Sequence, residues 1–584
     1  MGKASLILGV VLLAAAVAAG QSPSESVSRG EGVSPLPRGP EAGDTATPFE
    51  GPAVSTPQSR IDKLVFGRLE QLGLPPANLC SDAVFVRRVY LDAIGTLPTA
   101  QEARTFLADE DPNKRSVLID RLLEREEFAD YWAMKWGDLL RVKSEFPINL
   151  WPNAVQAYHR WIRTSLKENL PYDRFVRELL TASGSNFRVP QVNFYRAVQS
   201  KEPQALAQAV ALTFMGVRPE DWPQDKWAQM AVFFSQVGYK STLEWKEEIV
   251  LFDPNHPTGA NPQSAMVSSR TSIRDGNPPF RTAVLPDGTT VQLSSDQDPR
   301  EVFANWLIDG KNRWFARSIV NRFWFWLQGR GIIHEPDDIR PDNPPSNPKL
   351  LAYLARELVA SHYDLKHIYR LILNSQTYQL SSIARTDNPV EGVHRVEGVP
   401  PSNRGRDARD TTKAEANFAF YPLRRLEAEV LIDALCQITG TTEQYSSPIP
   451  EPFTFIPEDE RSIALADASI TSSFLETFGR SPRDTGLESE RNNRPTAAQR
   501  LHLLNSSHIQ RKIEQSTKLQ LVLQTKGKPR DVIDGLYLTI LSRFPTDEEL
   551  KTVQAYFQAN GNKRAAANDL VWVLMNSSEF LYRH

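Results

Sequence analysis

From Ile61 to about Gly238 apolar side chains return every three or four positions, as in IDKLVFGRLEQL and YDRFVRELLT, where Ile, Leu, Val and Phe fall on one stripe. That period predicts amphipathic helices, each burying one face. Over residues 241–297 the rhythm breaks: VLPDGTTVQLS alternates apolar and polar residues around Asp287-Gly288 and predicts a small β-hairpin. The helical period then resumes. The expected fold is mainly α, with helical bundles in two domains, residues 59–240 and 298–584, joined by a small β-containing connector over 241–297.

The two ends of the helical chain repeat one another. VYLDAIGTLPTAQEARTFL followed by NKRSVLIDRLLEREEF stands near the start, and LYLTILSRFPTDEELKTVQAYF followed by NKRAAANDLVWVLMNSSEF near the end. In both, Pro precedes a Thr with Glu three residues on, Thr99 with Glu102 and Thr546 with Glu549. That pattern is a capping box, in which the Thr hydroxyl accepts from a first-turn N–H and the Glu reaches back to the cap N–H. Two ordinary helix starts would share the boxes but not the NKR and the closing Glu-Phe. Duplication is the expected origin.

The ends of the chain and its composition limit the setting. MGKASLILGVVLLAAAVAAG has a basic start, a short apolar run and small residues after it, the pattern of a cleavable export signal over residues 1–20. Residues 21–58 are rich in Ser, Pro and Gly and read as a disordered linker. No later stretch is apolar enough to cross a bilayer, so the expected location is periplasmic or extracellular, with no transmembrane segment after signal cleavage. A net charge of -3 without a Lys/Arg block argues against a nucleic-acid partner. Cys80 and Cys436 stand far apart, and either a pairing or two buried thiols fits them.

Several stretches carry a resemblance. FVRRVYLDAIGTLPT, KWGDLLR and NLPYDRFVRELLTASG resemble the first of a pair of bacterial domains of unknown function, common in planctomycetes and often fused to or encoded near cytochrome c modules. RWFARSIVNRFWFWLQGRGIIHEPDDIRPDN, RRLEAEVLIDAL and FGRSPRDTGLESERNNRPTAAQRLHLLN resemble the second. Many such relatives carry a Cys-x-x-Cys-His stretch after the first domain's last helix, the spacing that attaches c-type haem. Here the corresponding segment is RPEDWPQDKW, with no Cys and no His, so this chain is expected to be a divergent member without haem. Leu487 and Ser489 of LESER likewise stand where relatives often have thiols, and Trp222 and Trp227 are expected to pack where the cysteine-bearing loop sits.

Candidate chemistry lies in the second half. HEPDDIRPDN places His334, Asp337, Asp338 and Asp342 within one short segment, a donor set suited to Ca²⁺ or another divalent ion. The spacing is not that of an EF-hand, and carboxylates bound to backbone N–H groups and to Arg340 would equally make a structural loop, with a helix cap near Ser346. In SHYDLKH, His362 and His367 lie too far apart around a helix to share a metal, and Asp364 reads as an N-cap. FARSIVNRFWFWLQGRG offers Arg317, Asn321 and Arg322 beside aromatic rings, either as a sugar-binding face or as struts between domains, with Phe323 to Trp326 partly committed to core. Glu488, Glu490 and Arg491 of LESER form either a carboxyl pair or an ion-pair network with Arg480 and Arg483.

No nucleophile elbow, phosphate loop, zinc-protease motif or Cys-x-x-Cys is written in the chain. The expectation is therefore a non-catalytic, exported binding or scaffold protein of the cell envelope. Its partners would be exported envelope proteins or a polysaccharide, the family often being encoded beside sulfatase-like proteins. No cofactor is expected beyond the divalent ion of the acidic loop, and the alternative is a metal-assisted hydrolase of an extracellular glycan.

Overall fold

A computed structural model describes residues 48–53, 56–145, 150–254, 281–385, 412–524 and 529–584. The expected leader over residues 1–20, most of the linker over 21–58 and the middle of the connector, 255–280, lie outside the described residues. About 54% of the chain is helical and 7% is strand, so the fold is mainly α.

The helices follow in chain order. The first set is α1 (Arg60–Leu72), α2 (Asp82–Ile94), α3 (Ala100–Ala108), α4 (Lys114–Leu123), α5 (Glu126–Leu139), α6 (Pro152–Lys167), α7 (Tyr172–Thr181), α8 (Pro203–Met215) and α9 (Gln224–Ala231). Then come α10 (Pro299–Leu307), α11 (Phe315–Gln328), α12 (Pro348–Ala360), α13 (Leu365–Leu373) and α14 (Ala428–Thr439). The last set is α15 (Ala497–Asn505), α16 (Ser507–Glu514), α17 (Thr517–Gln524), α18 (Pro529–Leu541), α19 (Asp547–Ala559) and α20 (Lys563–Met575), with shorter helical turns between.

Capping chemistry sets several of these starts. The Thr99 and Thr546 boxes form as expected, and Asp364 caps α13 by accepting from His367 N–H at 2.9 Å. The cap of α12 is Asn347 rather than Ser346, because the Asn347 amide oxygen accepts from Leu350 N–H while its NH₂ donates to Leu64 O of α1.

Small sheets lie between the helices. β1 (Gly184–Ser185), β2 (Val237–Ser241) and β3 (Glu248–Phe252) form an antiparallel sheet in the order β1-β3-β2. The expected hairpin is β4 (Arg281–Val284) with β5 (Thr290–Leu293), paired Arg281 to Leu293 and Val284 to Thr290. Its turn differs from a two-residue one: Gly288 N–H donates to Leu285 O across Pro286-Asp287, and Gly288 takes φ 92 before Leu285 N–H closes on Thr289 O. Pro suits the second position of such a turn and Gly the left-handed one. β6 (Arg424–Arg425) pairs with β7 (Tyr582–Arg583).

The duplicated segments adopt the same arrangement. α2, α3 and α4 pack together, as do α18, α19 and α20, and α3 lies on α18 where the copies meet. In the first copy Arg125 bonds Glu102 of the capping box and Glu127 of the closing Glu-Phe. In the second Arg543 bonds the equivalent Glu549 and Glu579, each at 2.7 Å. The two arginines come from different points in their copies, so the bridged glutamates are shared where the bridge is not.

Apolar side chains from Ile61 to Phe580 form one continuous core, so the expected division into two bundles is not drawn by the packing. Trp132 of α5, Phe323 and Trp326 of α11 and Tyr369 of α13 interlock, with ring centroids 4.3 Å apart for Trp132 and Tyr369 and 4.4 Å for Phe323 and Tyr369. Beside these rings runs a buried line of charge. Lys135 donates to Glu427 at 2.7 Å, Glu427 also accepts from Arg583, and Arg583 Nε lies 2.9 Å from Asp92, which accepts from the Tyr378 and Tyr421 hydroxyls. Cys80 and Cys436 are both free thiols.

The repeat yields a paired test. Gly95 and Ser542 end α2 and α18 at φ 59 and φ 60, and an added Cβ at Gly95 would meet Tyr131 Cδ2 at 2.5 Å. Gly95→Ala is expected to cost at least about 2 kcal/mol through left-handed strain and overpacking. Ser542→Ala, which removes a buried hydroxyl without a partner, is expected to leave the thermal midpoint nearly unchanged, as read by circular dichroism melting of both variants.

Candidate functional site

α11 ends at Gly329, φ 76, and turns the chain into the acidic segment. Asn321 pins that segment from inside: its NH₂ donates to Ile333 O and its carbonyl accepts from Ile333 N–H, both at 2.9 Å. Next to it Arg322, fully buried, donates to Leu212 O at 2.8 Å and to Thr213 O, two carbonyls of the last turn of α8. Burial lowers the Arg322 guanidinium below its usual range, and the Asp337 charge opposes that. Both side chains are therefore struts, Asn321 from α11 to the acidic segment and Arg322 from α11 to the end of α8.

Asp337 is the centre of the loop's contacts. Fully buried, it accepts from Arg218 Nη2 at 2.7 Å and from Glu488 N–H at 3.0 Å, while Ile339 N–H donates to Gly216 O. Arg218 also holds Glu335. The Glu488 carboxylate accepts from Trp326 Nε1 at 3.0 Å. Burial pushes Glu488 above the ordinary carboxyl range against the pull of Lys135, with Asp138 and Asp337 adding to the rise. So the acidic loop, LESER and the first residues of RPEDWPQDKW, which lie far apart in sequence, meet at one point.

Around that point most of the remaining acids have a cation. Arg491 binds Asp138 at 2.8 Å and Glu429 at 2.6 Å, Arg483 binds Asp138 at 3.0 Å, and Arg480 lies 3.5 Å from Glu429. Burial raises Glu429, but the Arg491 and Arg480 charges outweigh it and hold the carboxyl at about 2. Glu490 accepts from Thr485 N–H at 2.7 Å and closes its own turn. Arg340 spans Asp338 at 2.8 Å and Asp342 at 3.2 Å, and the Asn343 NH₂ donates to Asp338 O and His334 O. The His334 ring stacks on Phe325 at 6.3 Å. Among the described residues no group of three or more His, Cys, Asp or Glu side chains is set to hold a metal, so His334, Asp337, Asp338 and Asp342 are not gathered around a common point.

Residues 60–238 match a family described as PSCyt2, protein of unknown function (DUF1549), and residues 299–557 match one described as PSD1, protein of unknown function (DUF1553). The chain carries the planctomycete cytochrome-associated pair of domains of unknown function. No curated protein and no solved structure matches it. In this pair of domains the joint between the two matched segments is the buried cluster just described, with Arg218 on one side and Asp337 and Glu488 on the other.

A second place on the pair stands out because it is exposed. Trp151 precedes α6, Trp245 sits at the tip of the β2-β3 hairpin, and Phe453 and Phe455 belong to the proline-bracketed stretch PIPEPFTFIPED. The Trp151 ring meets Trp245 at 6.5 Å and Phe453 at 5.7 Å, while Lys246 Nζ lies 5.4 Å from the Trp245 ring. Trp245, Phe453 and Phe455 are 64%, 53% and 76% exposed, which separates them from the rings of α11. Sequence reasoning missed this face, because its rings come from three unrelated segments. A signal was present in STLEWKEE and EPFTFIPE, where large apolar residues interrupt polar, non-helical stretches.

Two measurements test the joint. Arg218→Ala leaves the Asp337 charge buried without its cation and is expected to cost about 3–5 kcal/mol, whereas the double variant with Asp337→Asn recovers much of that loss in chemical denaturation. The second concerns acid. Glu429 has an ordinary value of 4.5 and a folded value of about 2, so its stabilisation is complete above pH 4.5 and is lost as pH falls toward 2. That amounts to on the order of 3 kcal/mol. Glu429→Gln is expected to be less stable than the parent at pH 7, with the gap closing as unfolding is followed down to pH 2.

Proposed function

We propose that this is an exported, non-catalytic binding protein of the cell envelope whose ligand is a polysaccharide, held on the aromatic face of Trp151, Trp245, Phe453 and Phe455. The observation that carries this is the exposure of Trp245 and Phe453, which come from separate segments and both meet Trp151, with the still more exposed Phe455 two residues along from Phe453. Leaving so much ring surface in water is unfavourable unless something covers it. Sugar rings present C–H faces that stack on such surfaces and hydroxyls that donate to carboxylates, and Glu244, Glu451, Glu458 and Asp459 flank these rings in sequence. The same acids disfavour an anionic lipid surface.

Export rests on the pattern of residues 1–20, and the divergent, haem-free character rests on RPEDWPQDKW, which has no thiol or imidazole to attach or ligate haem. What weighs against a metal-assisted hydrolase is the commitment of the acids: both Asp337 oxygens are bonded within the fold, and Asp338 and Asp342 share Arg340. A scaffold role toward other envelope proteins would use the same face.

Affinity electrophoresis through gels containing neutral xylan, glucomannan or β-glucan provides the test. Retardation is expected in at least one, and Trp245→Ala with Phe455→Ala should abolish it while changing stability by about 0.5 kcal/mol or less, as for other exposed positions. Unretarded migration in all three, or retardation that survives the double variant, refutes the proposal.

A further inference from the structure

Where the segment RPEDWPQDKW meets the start of α11, positive charge outnumbers negative. Lys226 of α9 places Nζ 3.8 Å over the Trp222 ring and 5.8 Å from that of Trp314, and Arg313 places Cζ 4.0 Å over the other tryptophan, Trp314. The Trp222 and Trp314 rings meet at 6.0 Å, edge to face, which ties RPEDWPQDKW to the start of α11. Arg317, in the first turn of α11, adds a third cation close enough to Arg313 to feel its charge. Elsewhere in the joint the arginines, Arg218, Arg340, Arg480, Arg483 and Arg491, all face carboxylates. Among the described residues the side chains of Lys226, Arg313 and Arg317 form no hydrogen bond and no ion pair. The acid that reaches Lys226 electrostatically, Asp287, is bonded to Trp306 Nε1 at 2.9 Å.

Ring faces hold cations in place without cancelling their charge, because the ring has a quadrupole and no net charge. Three like charges are thus gathered, Lys226 and Arg317 partly withdrawn from water and Arg313 exposed, with Asp287 the one acid acting on Lys226, so the group keeps a net positive charge that an anion would offset. Lys226 and Arg317 both feel this. Burial lowers the pKa of each, and Arg313 lowers it further.

We infer that Lys226 and Arg313, set on the rings of Trp222 and Trp314, form with the neighbouring Arg317 a site for the oxyanion of an anionic polysaccharide, a sulfate ester or a carboxylate. The site is independent of the Trp245 face. The geometry suits an oxyanion because an ammonium and two guanidiniums supply donors without acceptors, and a guanidinium matches the paired oxygens of sulfate or carboxylate. Neutral sugars gain nothing from it.

The full chain, titrated with dextran sulfate, carboxymethyl dextran and unsubstituted dextran while tryptophan fluorescence is followed, provides the test. A fluorescence change is expected with one or both charged polymers and not with plain dextran, weakening as salt is raised. The tighter of the two charged polymers identifies the anion. Lys226→Gln with Arg313→Gln is expected to weaken binding about tenfold or more. The control Arg60→Gln with Lys349→Gln, which removes the same charge from exposed positions on α1 and α12, should leave it nearly unchanged, and so should Trp245→Ala. Equal loss in the control variant, equal binding of plain dextran, or no binding of either charged polymer overturns the assignment.

Discussion

Glu427 accepts from Lys135 of α5 on one side and from Arg583 of β7 on the other, and Arg583 reaches on to Asp92 of α2. Each of these side chains is buried, two are anions and two cations, and no one of them has a tolerable state without its neighbours. Burying a lone charge is far more costly than leaving a surface pair unmade, so an assembly missing α2, α5, α14 or β7 strands a charge in the core. The line therefore acts less as a source of net stability than as a condition that the elements arrive together. Arg87 and Arg88 extend the condition to the duplicated ends: from α2 they donate to Ile540 O and Phe580 O, and to Tyr378 O, Leu380 O and His584 O.

That condition explains how two separately matched segments share one core. The rings of Trp132, Phe323, Trp326 and Tyr369 supply apolar contact between α5, α11 and α13, but rings alone tolerate sliding. The directional bonds remove that freedom. Asn321 fixes the acidic segment to α11, Arg322 fixes α11 to the end of α8, and Asp337 collects Arg218 and the Glu488 N–H at once. A carboxylate whose two oxygens are taken by different segments sets their spacing as well as their contact. This joint is built from the residues that looked most like a reactive site in the sequence, since acids and arginines in a short motif have the same appearance whether they act on a ligand or on each other.

Helix starts and the repeat were legible because they depend on neighbours in sequence. Thr99 with Glu102, Thr546 with Glu549 and the Asp364 cap each need only three or four residues, and each forms. The hairpin at Asp287-Gly288 was legible in place but not in turn geometry, where Leu285 and Pro286 lengthen the loop. What the sequence could not convey is which distant groups meet. The pairing of carboxylates in HEPDDIRPDN with the nearby Arg340 was legible, and Asp338 and Asp342 do share it, but nothing local announces that Asp337 faces Arg218. The polar, non-helical surroundings of Trp245 and Phe455 set them apart from the rings of α11, but that signal does not bring the separate segments together, since exposure and contact are decided by what packs around a residue.

The segment after α8 joins the buried cluster to the cationic group. In RPEDWPQDKW the first residue, Arg218, belongs to the joint through Asp337 and Glu335, and Trp227 is buried with its Nε1 donating to Pro219 O at 2.8 Å. Trp222 packs against it at 4.8 Å, so the segment has a firm apolar inner side without any thiol or imidazole. Lys226 and Trp222 are then free of structural duty toward a carboxylate and lie against Arg313 and Trp314 at the start of α11. A segment packed on one side and carrying an excess of positive charge on the other directs that excess outward, which is the physical basis for placing a ligand there rather than in the paired cluster around Asp337.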